Sequence, residues 1–328
     1  MALTGATAEF LAEARSEGVE FGRTLTIGRQ ASFAGPLRLG SMLRRNDVWP
    51  AGETRRDFYR RFRPGPPWEG EPYLRALGAR ELQVLDVSGY ERADVIHDLG
   101  DPIPDQLEER FDVVLDGGSL EHVFDVRTAL ANYMRMVRVG GRLVIQTMAN
   151  NHCGHGFYQF SPELFFRALS EDNGYRVERL HLAEEDPDFS RPVAGLSFPF
   201  GAIARRRFAV ADPAAAGERA LLRTRVGVIL LVQAERVSAA PPFARPIYQS
   251  DYRPLWETAS ARSQGAAERT PGRTRAAFRR LVPPEARMAF ALDLAPWLLN
   301  LLDPLRHRRA ARRRSFRNRR HYRRVSGR

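Results

Sequence analysis

Apolar positions recur along this chain with two periods, and the longest apolar runs mark a sheet. Residues 111–115 are apolar apart from Asp112 and stop at Asp116-Gly117-Gly118, and residues 226–234 form a second strongly apolar run. The first run, lacking polar alternation, predicts a parallel strand buried on both faces, and the second reads as a final, strongly apolar strand. Residues 24–27, 82–86, 93–98, 142–148 and 175–182 read as further strands, with a hairpin partner near 207–210. Helical spacing lies between them. Residues 7–21 read as an amphipathic helix, and Val126, Leu130, Tyr133, Met134 and Val137 share one helical face after an Asp125 N-cap, with Gly140-Gly141 as the stop. Ser161-Pro162 opens a helix over 163–169, and residues 73–77 close a helix capped by Gly78. Residues 31–70 show little periodicity and are expected to be an irregular insertion, with a short helix near 55–62. The βαβαβ alternation predicts an α/β fold: a mostly parallel sheet with helices on both faces.

Charge changes the picture only at the C-terminus. The net charge is +12, yet twelve Arg and no acidic residue lie in 306–328, and the other 39 basic residues equal the 39 Asp plus Glu. The basicity is therefore a property of the tail. No Lys occurs anywhere in the 328 residues, so no single Arg stands out as chosen for phosphate. Cys153 is alone and cannot form an internal disulfide, and residues 1–10 lack a secretory pattern, which points to a cytoplasmic setting. The most apolar C-terminal stretch, 288–302, is interrupted by Asp293 and Pro296 and is too short to span a bilayer. It reads as an apolar helix carrying Trp297. Together with the Arg-rich tail it could lie on an anionic membrane surface, at the inner membrane face. The tail alone could contact nucleic-acid phosphate, a reading its sparse aromatics disfavour, or could simply be solvated.

In open α/β sheets ligands bind at the carboxyl ends of the strands. There the sequence places Gly28, Asp86, His97-Asp98, Asp116-Gly117-Gly118 and the residues after Met148. The ordered set Phe111-Asp-Val-Val-Leu-Asp-Gly-Gly-Ser-Leu-Glu-His-Val-Phe, a helix, Arg138-Val-Gly-Gly-Arg-Leu-Val-Ile and Asn150-Asn151 resembles strands four and five of the class I S-adenosylmethionine-dependent methyltransferases. That resemblance covers about 40 residues closely and, through element order, residues 24–234. It implies the Rossmann-like, mostly parallel sheet of that family, with a helical, Arg-rich C-terminal appendage, and S-adenosyl-L-methionine as cofactor. Position by position it implies that Asp86 accepts the ribose hydroxyls and that His97, Asp98 and Leu99 flank the adenine. Asp116 and Gly117 would lie by the methionine end, with Gly28 in the strand-one loop. One departure stands out: the family's glycine-rich loop reads Gly28-Arg29-Gln30-Ala31-Ser32-Phe33 here, with a single glycine.

Methyl transfer to a hydroxyl needs alignment and a base. His122, His152, His155 and Tyr158 fall in the loops after strands four and five, and His155 is the expected base, with Tyr158 a substrate contact and His122 beside them. A metal site within His152-Cys153-Gly154-His155 lacks the ligands of a closed tetrahedron, so no metal is expected. Ser119 has no glycine two residues later and is no hydrolase nucleophile. The expected organisation is a methyltransferase-like domain over 1–236, a Pro/Ala/Arg-rich linker over 237–283, and an apolar helix plus Arg-rich tail over 284–328. The expected activity is methylation of a hydroxyl on a small molecule or glycan precursor. The alternative is an inactive methyltransferase-like scaffold at a membrane surface.

Overall fold

The computed structural model describes residues 2–62, 68–184, 206–252, 256 and 311–325. In chain order the elements are β1 (Ala2–Leu3), α1 (Gly5–Ser16), β2 (Arg23–Ile27), β3 (Ala31–Ser32), α2 (Pro36–Arg45), α3 (Arg55–Arg60), β4 (Trp68–Glu69) and α4 (Glu71–Ala76). Then follow β5 (Glu81–Asp86), β6 (Val95–Ile96), β7 (Phe111–Gly117), α5 (Val126–Met136), β8 (Val137–Asn150) and α6 (Pro162–Ala168). The last are β9 (Tyr175–Glu184), β10 (Arg206–Val210), α7 (Pro213–Ala216), β11 (Val228–Arg236) and β12 (Tyr322–Val325).

Nine strands make one sheet in the order β12-β10-β9-β11-β8-β7-β2-β5-β6. β6, β5, β2, β7 and β8 are mutually parallel, and β11 runs antiparallel between β8 and β9. Only β10 joins β11 in the reversed direction, since β12 is antiparallel to β10 and β10 to β9. This is the Rossmann-like, mostly parallel sheet expected. Successive residues of β7 point to opposite faces, and each face meets its own core. Val114 packs with Leu130 and Tyr133 of α5 and Phe165 of α6. Val113 and Leu115 pack with Phe10 and Leu11 of α1, Met42 of α2 and Tyr73 of α4. Burial on both faces is why β7 and β11 read as continuous apolar runs.

Several expected elements come out differently. The first helix begins under a Thr4 cap, whose side chain accepts the Thr7 N–H, and ends at Ser16 rather than Phe21, with Gly18 beyond it in the left-handed region. The described part of the expected insertion, 31–62 and 68–70, carries β3, α2, α3 and β4 and is not irregular. Leu39, Met42 and Leu43 form an i, i+3, i+4 stripe on α2 that is buried, while Arg38, Arg44 and Arg45 on its other faces masked the period. Gly140-Gly141 does not end a helix. α5 stops at Met136 and β8 begins at once; the register then jumps from Phe111↔Val137 to Val113↔Arg142, so 138–141 bulge out of the ladder. The third strand shrinks to Val95–Ile96.

The end of the Arg-rich tail joins the fold as β12. Tyr322 is buried, and Phe316 stacks on Phe208 with centroids 3.9 Å apart. The expected apolar helix over 284–302 and most of the 237–283 linker lie outside the described residues. Among the described residues, no helix is long and apolar enough to cross a membrane.

Candidate functional site

Strand register fixes a row of residues at the carboxyl edge of the sheet. Ile27 pairs with Leu85 on one side and Asp116 on the other, Asp86 pairs with Ile96, and Gly117 pairs with Gln146. Ile96, Asp86, Gly28 and Gly117 therefore stand at the ends of four adjacent strands, spaced by about 4.8 Å each, with Gln146 beside Gly117 inside β8, which runs on to Asn150. The β2–β7 boundary is where the chain, having built outward through β5 and β6, returns to the other side of β2. A topological switch of this kind opens a crevice at the strand ends.

Of the residues implied for the cofactor, the structure gives each a definite place. Asp86 ends β5, half-buried, with one carboxylate oxygen accepting the Ser88 N–H at 3.1 Å. His97 is half-exposed, its Nε2 3.1 Å from the Asp101 carbonyl, and Asp98 accepts the Gly100 N–H at 2.9 Å. Leu99 is buried in the core beside α5, and its carbonyl accepts from Asn132. Gly28 adopts φ 66°, and its N–H donates to the Leu85 carbonyl at 2.7 Å. Asp116 is fully buried. Its two oxygens accept the N–H groups of Gly118, Ser119 and Leu120, and the Tyr133 hydroxyl donates to it at 3.2 Å. Burial and the nearby Glu121 charge push its carboxyl up to about 7. Asp116 thus holds the turn that follows β7.

The strand-one loop is filled by its own side chains. Gln30 is buried and its amide nitrogen donates to the carbonyls of Ile27 and Gly28. Its Oε1 has no hydrogen-bond partner and lies against Gly117. Arg29 pairs with Glu71 and donates to the carbonyls of Glu91 and Arg92, tying β2's exit to the loop after β5.

The acid/base group assembles around a residue that the sequence reading passed over. Glu121 lies in the short 3-10 turn Leu120–His122 and is fully buried. Its Oε2 accepts the Thr147 hydroxyl at 2.7 Å, while Oε1 has no hydrogen-bond partner. Burial raises its carboxyl above the usual range, against the lowering effect of Thr147. The Glu121 carbonyl accepts the N–H of Phe157 at 2.7 Å and of Tyr158 at 3.3 Å, docking the loop after β8 onto the loop after β7. That contact requires Gly156, since a Cβ there would fall 2.6 Å from the Glu121 carbonyl oxygen, and φ is +70°.

The docked loop brings His155 Nε2 to 3.8 Å from Glu121 Oε1, and the His155 and His122 rings to 5.1 Å between centroids. Both imidazoles are exposed. Partial burial, then the His155 charge, lowers the His122 imidazole below its ordinary range. Tyr158 turns its hydroxyl to the Phe124 carbonyl at 2.7 Å, which braces the same two loops, and exposed Phe124 and Phe157 meet edge-on at 5.8 Å. His152 stands further out, 6.2 Å from His155 between ring centroids, and Cys153 is exposed. Leu120-Glu121-His122 at a strand end was the signal for Glu121; its burial depends on the later loop folding over it.

No family model matches the sequence, and no curated protein matches it. Among solved structures, the chain is similar to a Burkholderia thailandensis 1,6-didemethyltoxoflavin-N1-methyltransferase holding S-adenosylhomocysteine, at 16% identity, TM-score 0.33, over 70% of this chain and 79% of that one. It is similar to a geranyl diphosphate methyltransferase in complex with SAM at 17% identity and TM-score 0.33, over 71% and 85% of the two chains. A third is the YcgJ protein from Bacillus subtilis, at 13% identity and TM-score 0.36, over 71% and 100%. Likenesses of this extent carry no weight for activity, which has to rest on the chain's own geometry.

Proposed function

We propose that the protein is an S-adenosylmethionine-dependent methyltransferase acting on a hydroxyl of a small molecule or glycan precursor. The observation that supports this best is one row of groups at the carboxyl edge. Asp86, Gly28 and Gly117 close adjacent strands, and Glu121, His122 and His155 gather in the next two loops. The row supplies acceptors where a nucleoside-bearing cation would need them. One Asp86 carboxylate can accept two vicinal hydroxyls, and the buried, unpartnered Gln30 Oε1 suits a donor such as an ammonium. These residues fit the cofactor by their chemistry.

When bound, the cofactor would supply an electrophilic methyl group. The chain's part is to hold the acceptor hydroxyl in line and to take its proton, which His155 would receive on a ring nitrogen while His122 and Tyr158 border the acceptor. The exposed pair Phe124 and Phe157 beside them would cover an apolar part of that acceptor. The surrounding chain holds these groups steady, because Tyr158 and the Glu121 carbonyl tie the two loops together.

One observation favours the second reading, a methyltransferase-like scaffold that has lost the cofactor: Gln30 fills the place against Gly117 that a glycine loop would leave open. Calorimetric titration with S-adenosylmethionine and S-adenosylhomocysteine separates the two. The enzyme reading expects saturable binding tighter than about 1 mM, or about 4 kcal/mol. No binding by either compound at that level rejects it in favour of the scaffold.

A further inference from the structure

We infer that Glu121, His122 and His155 form a binding site for one divalent first-row transition ion of the zinc or cobalt type. One carboxylate oxygen and two imidazole nitrogens from these residues lie within 4.8 Å of one another. Bonds of about 2.1 Å in a tetrahedron place ligand atoms about 3.4 Å apart, so modest rotation of the two exposed imidazoles closes the set. Glu121 provides the argument that an ion belongs there. Its carboxylate is fully buried, and Oε1 faces His155 Nε2 at 3.8 Å, too far for a hydrogen bond, with no other hydrogen-bond partner. A buried charge left half-paired is costly, and an ion between the two groups satisfies both.

The neighbourhood orients the ligand as metal sites require. Thr147 donates to Oε2 and so turns Oε1 alone toward the imidazoles. Gly118, with φ +107°, leaves the approach to Oε1 open, where a Cβ would stand 3.2 Å away. Gly156 and the backbone bonds to the Glu121 carbonyl keep His155 over the carboxylate. Two imidazoles and one carboxylate suit a transition ion more than magnesium, which prefers oxygen ligands, and three protein ligands leave a position for water or substrate.

The inference does not depend on methyl transfer. An ion on His155 takes the lone pair assigned above to the proton; an acceptor hydroxyl at the open position would then release its proton to solvent under the ion's charge.

The test uses the full chain, free of any polyhistidine tag and stripped with a chelator, titrated with Zn2+ and with Co2+ followed by its visible absorption. Expected are one ion per chain, no competition from millimolar Mg2+, and an affinity loss of at least about tenfold in Glu121→Gln, His122→Ala and His155→Ala. His155→Ala alters an exposed side chain and keeps the test valid if Glu121→Gln fails to fold. His152→Ala/Cys153→Ser should bind as the parent does. Absence of saturable binding, unchanged affinity in His122→Ala and His155→Ala, or loss confined to His152→Ala/Cys153→Ser would overturn the assignment. Because the readout is ion binding, it stands or falls separately from cofactor binding.

Discussion

Gln30 lies so close to Gly117 that a Cβ added to the glycine would fall 2.0 Å from Gln30 Oε1 and 2.9 Å from its Cδ. The two residues seal the junction of β2 and β7, and Gln30 is pinned there by its bonds to the Ile27 and Gly28 carbonyls. Gly117→Ala should therefore destabilise the protein by about 1–3 kcal/mol, the usual cost of overpacking. Gln30→Ala should recover most of that loss when combined with it. Urea unfolding of the two single variants and the double variant measures the coupling, and additive effects would refute the contact.

Asp116 supports a different prediction. Its buried carboxylate receives three backbone N–H groups and the Tyr133 hydroxyl, so Asp116→Ala strands several buried donors at once. A loss of about 3 kcal/mol or more is expected from unsatisfied buried donors. Tyr133→Phe removes one donor and should cost about 1 kcal/mol. A surface-like effect below about 0.5 kcal/mol for Asp116→Ala would contradict the turn-holding role.

His181 gives the pH dependence. It is buried on β9 against the edge of Phe10, and Arg179, Arg207 and Arg323 face it, with Glu13 pairing the first two. Burial, then those three charges, pushes its imidazole down to about 3. In the unfolded chain the ordinary value is about 6.5. Between those values the unfolded state binds a proton that the folded state refuses, so this residue's contribution is complete above pH 6.5 and declines as pH falls. The slope approaches about 1.4 kcal/mol per pH unit. His181→Leu should flatten the stability profile between pH 6 and 4, measured by denaturant midpoints; an unchanged profile would exclude His181 as its source.

At the far edge of the sheet, Tyr322 of β12 is 3% exposed and its ring meets Phe316 at 5.1 Å. Tyr322→Ala should cost about 3 kcal/mol, as truncation of buried aromatics does. Removing residues 311–328 should lower the thermal midpoint and expose Phe208 and Val210 to hydrophobic dyes. A tail-less protein melting as the full chain does would mean β12 contributes nothing.

The strands were legible because β7 and β11 are buried on both faces, and continuous apolar runs survive in one dimension. α2 was not, since its three buried apolar side chains, Leu39, Met42 and Leu43, sit among arginines and Gly40, and its partners on α1 are about 30 residues away. The bulge at 138–141 lies opposite Asp112 of the neighbouring strand, with which Arg138 pairs, a contact that no local window contains. At the site, His155, His122 and Tyr158 could be picked out by residue type. Glu121 was signalled only by its place in Leu120-Glu121-His122, because what makes it unusual is burial under a loop docked through Gly156. β12 was hidden in a run of Arg whose only large apolar members are Phe316, Tyr322 and Val325.

Asp86 ends β5 with one carboxylate oxygen accepting the Ser88 N–H, and the cofactor reading assigns its carboxylate to a ligand's hydroxyls. The deciding measurement is calorimetric binding of S-adenosylhomocysteine to the parent protein and to Asp86→Ala. Saturable binding by the parent, tighter than about 1 mM, and weakening by about tenfold or more in Asp86→Ala is the expected result. Equal binding by both proteins, or none by either, would contradict it.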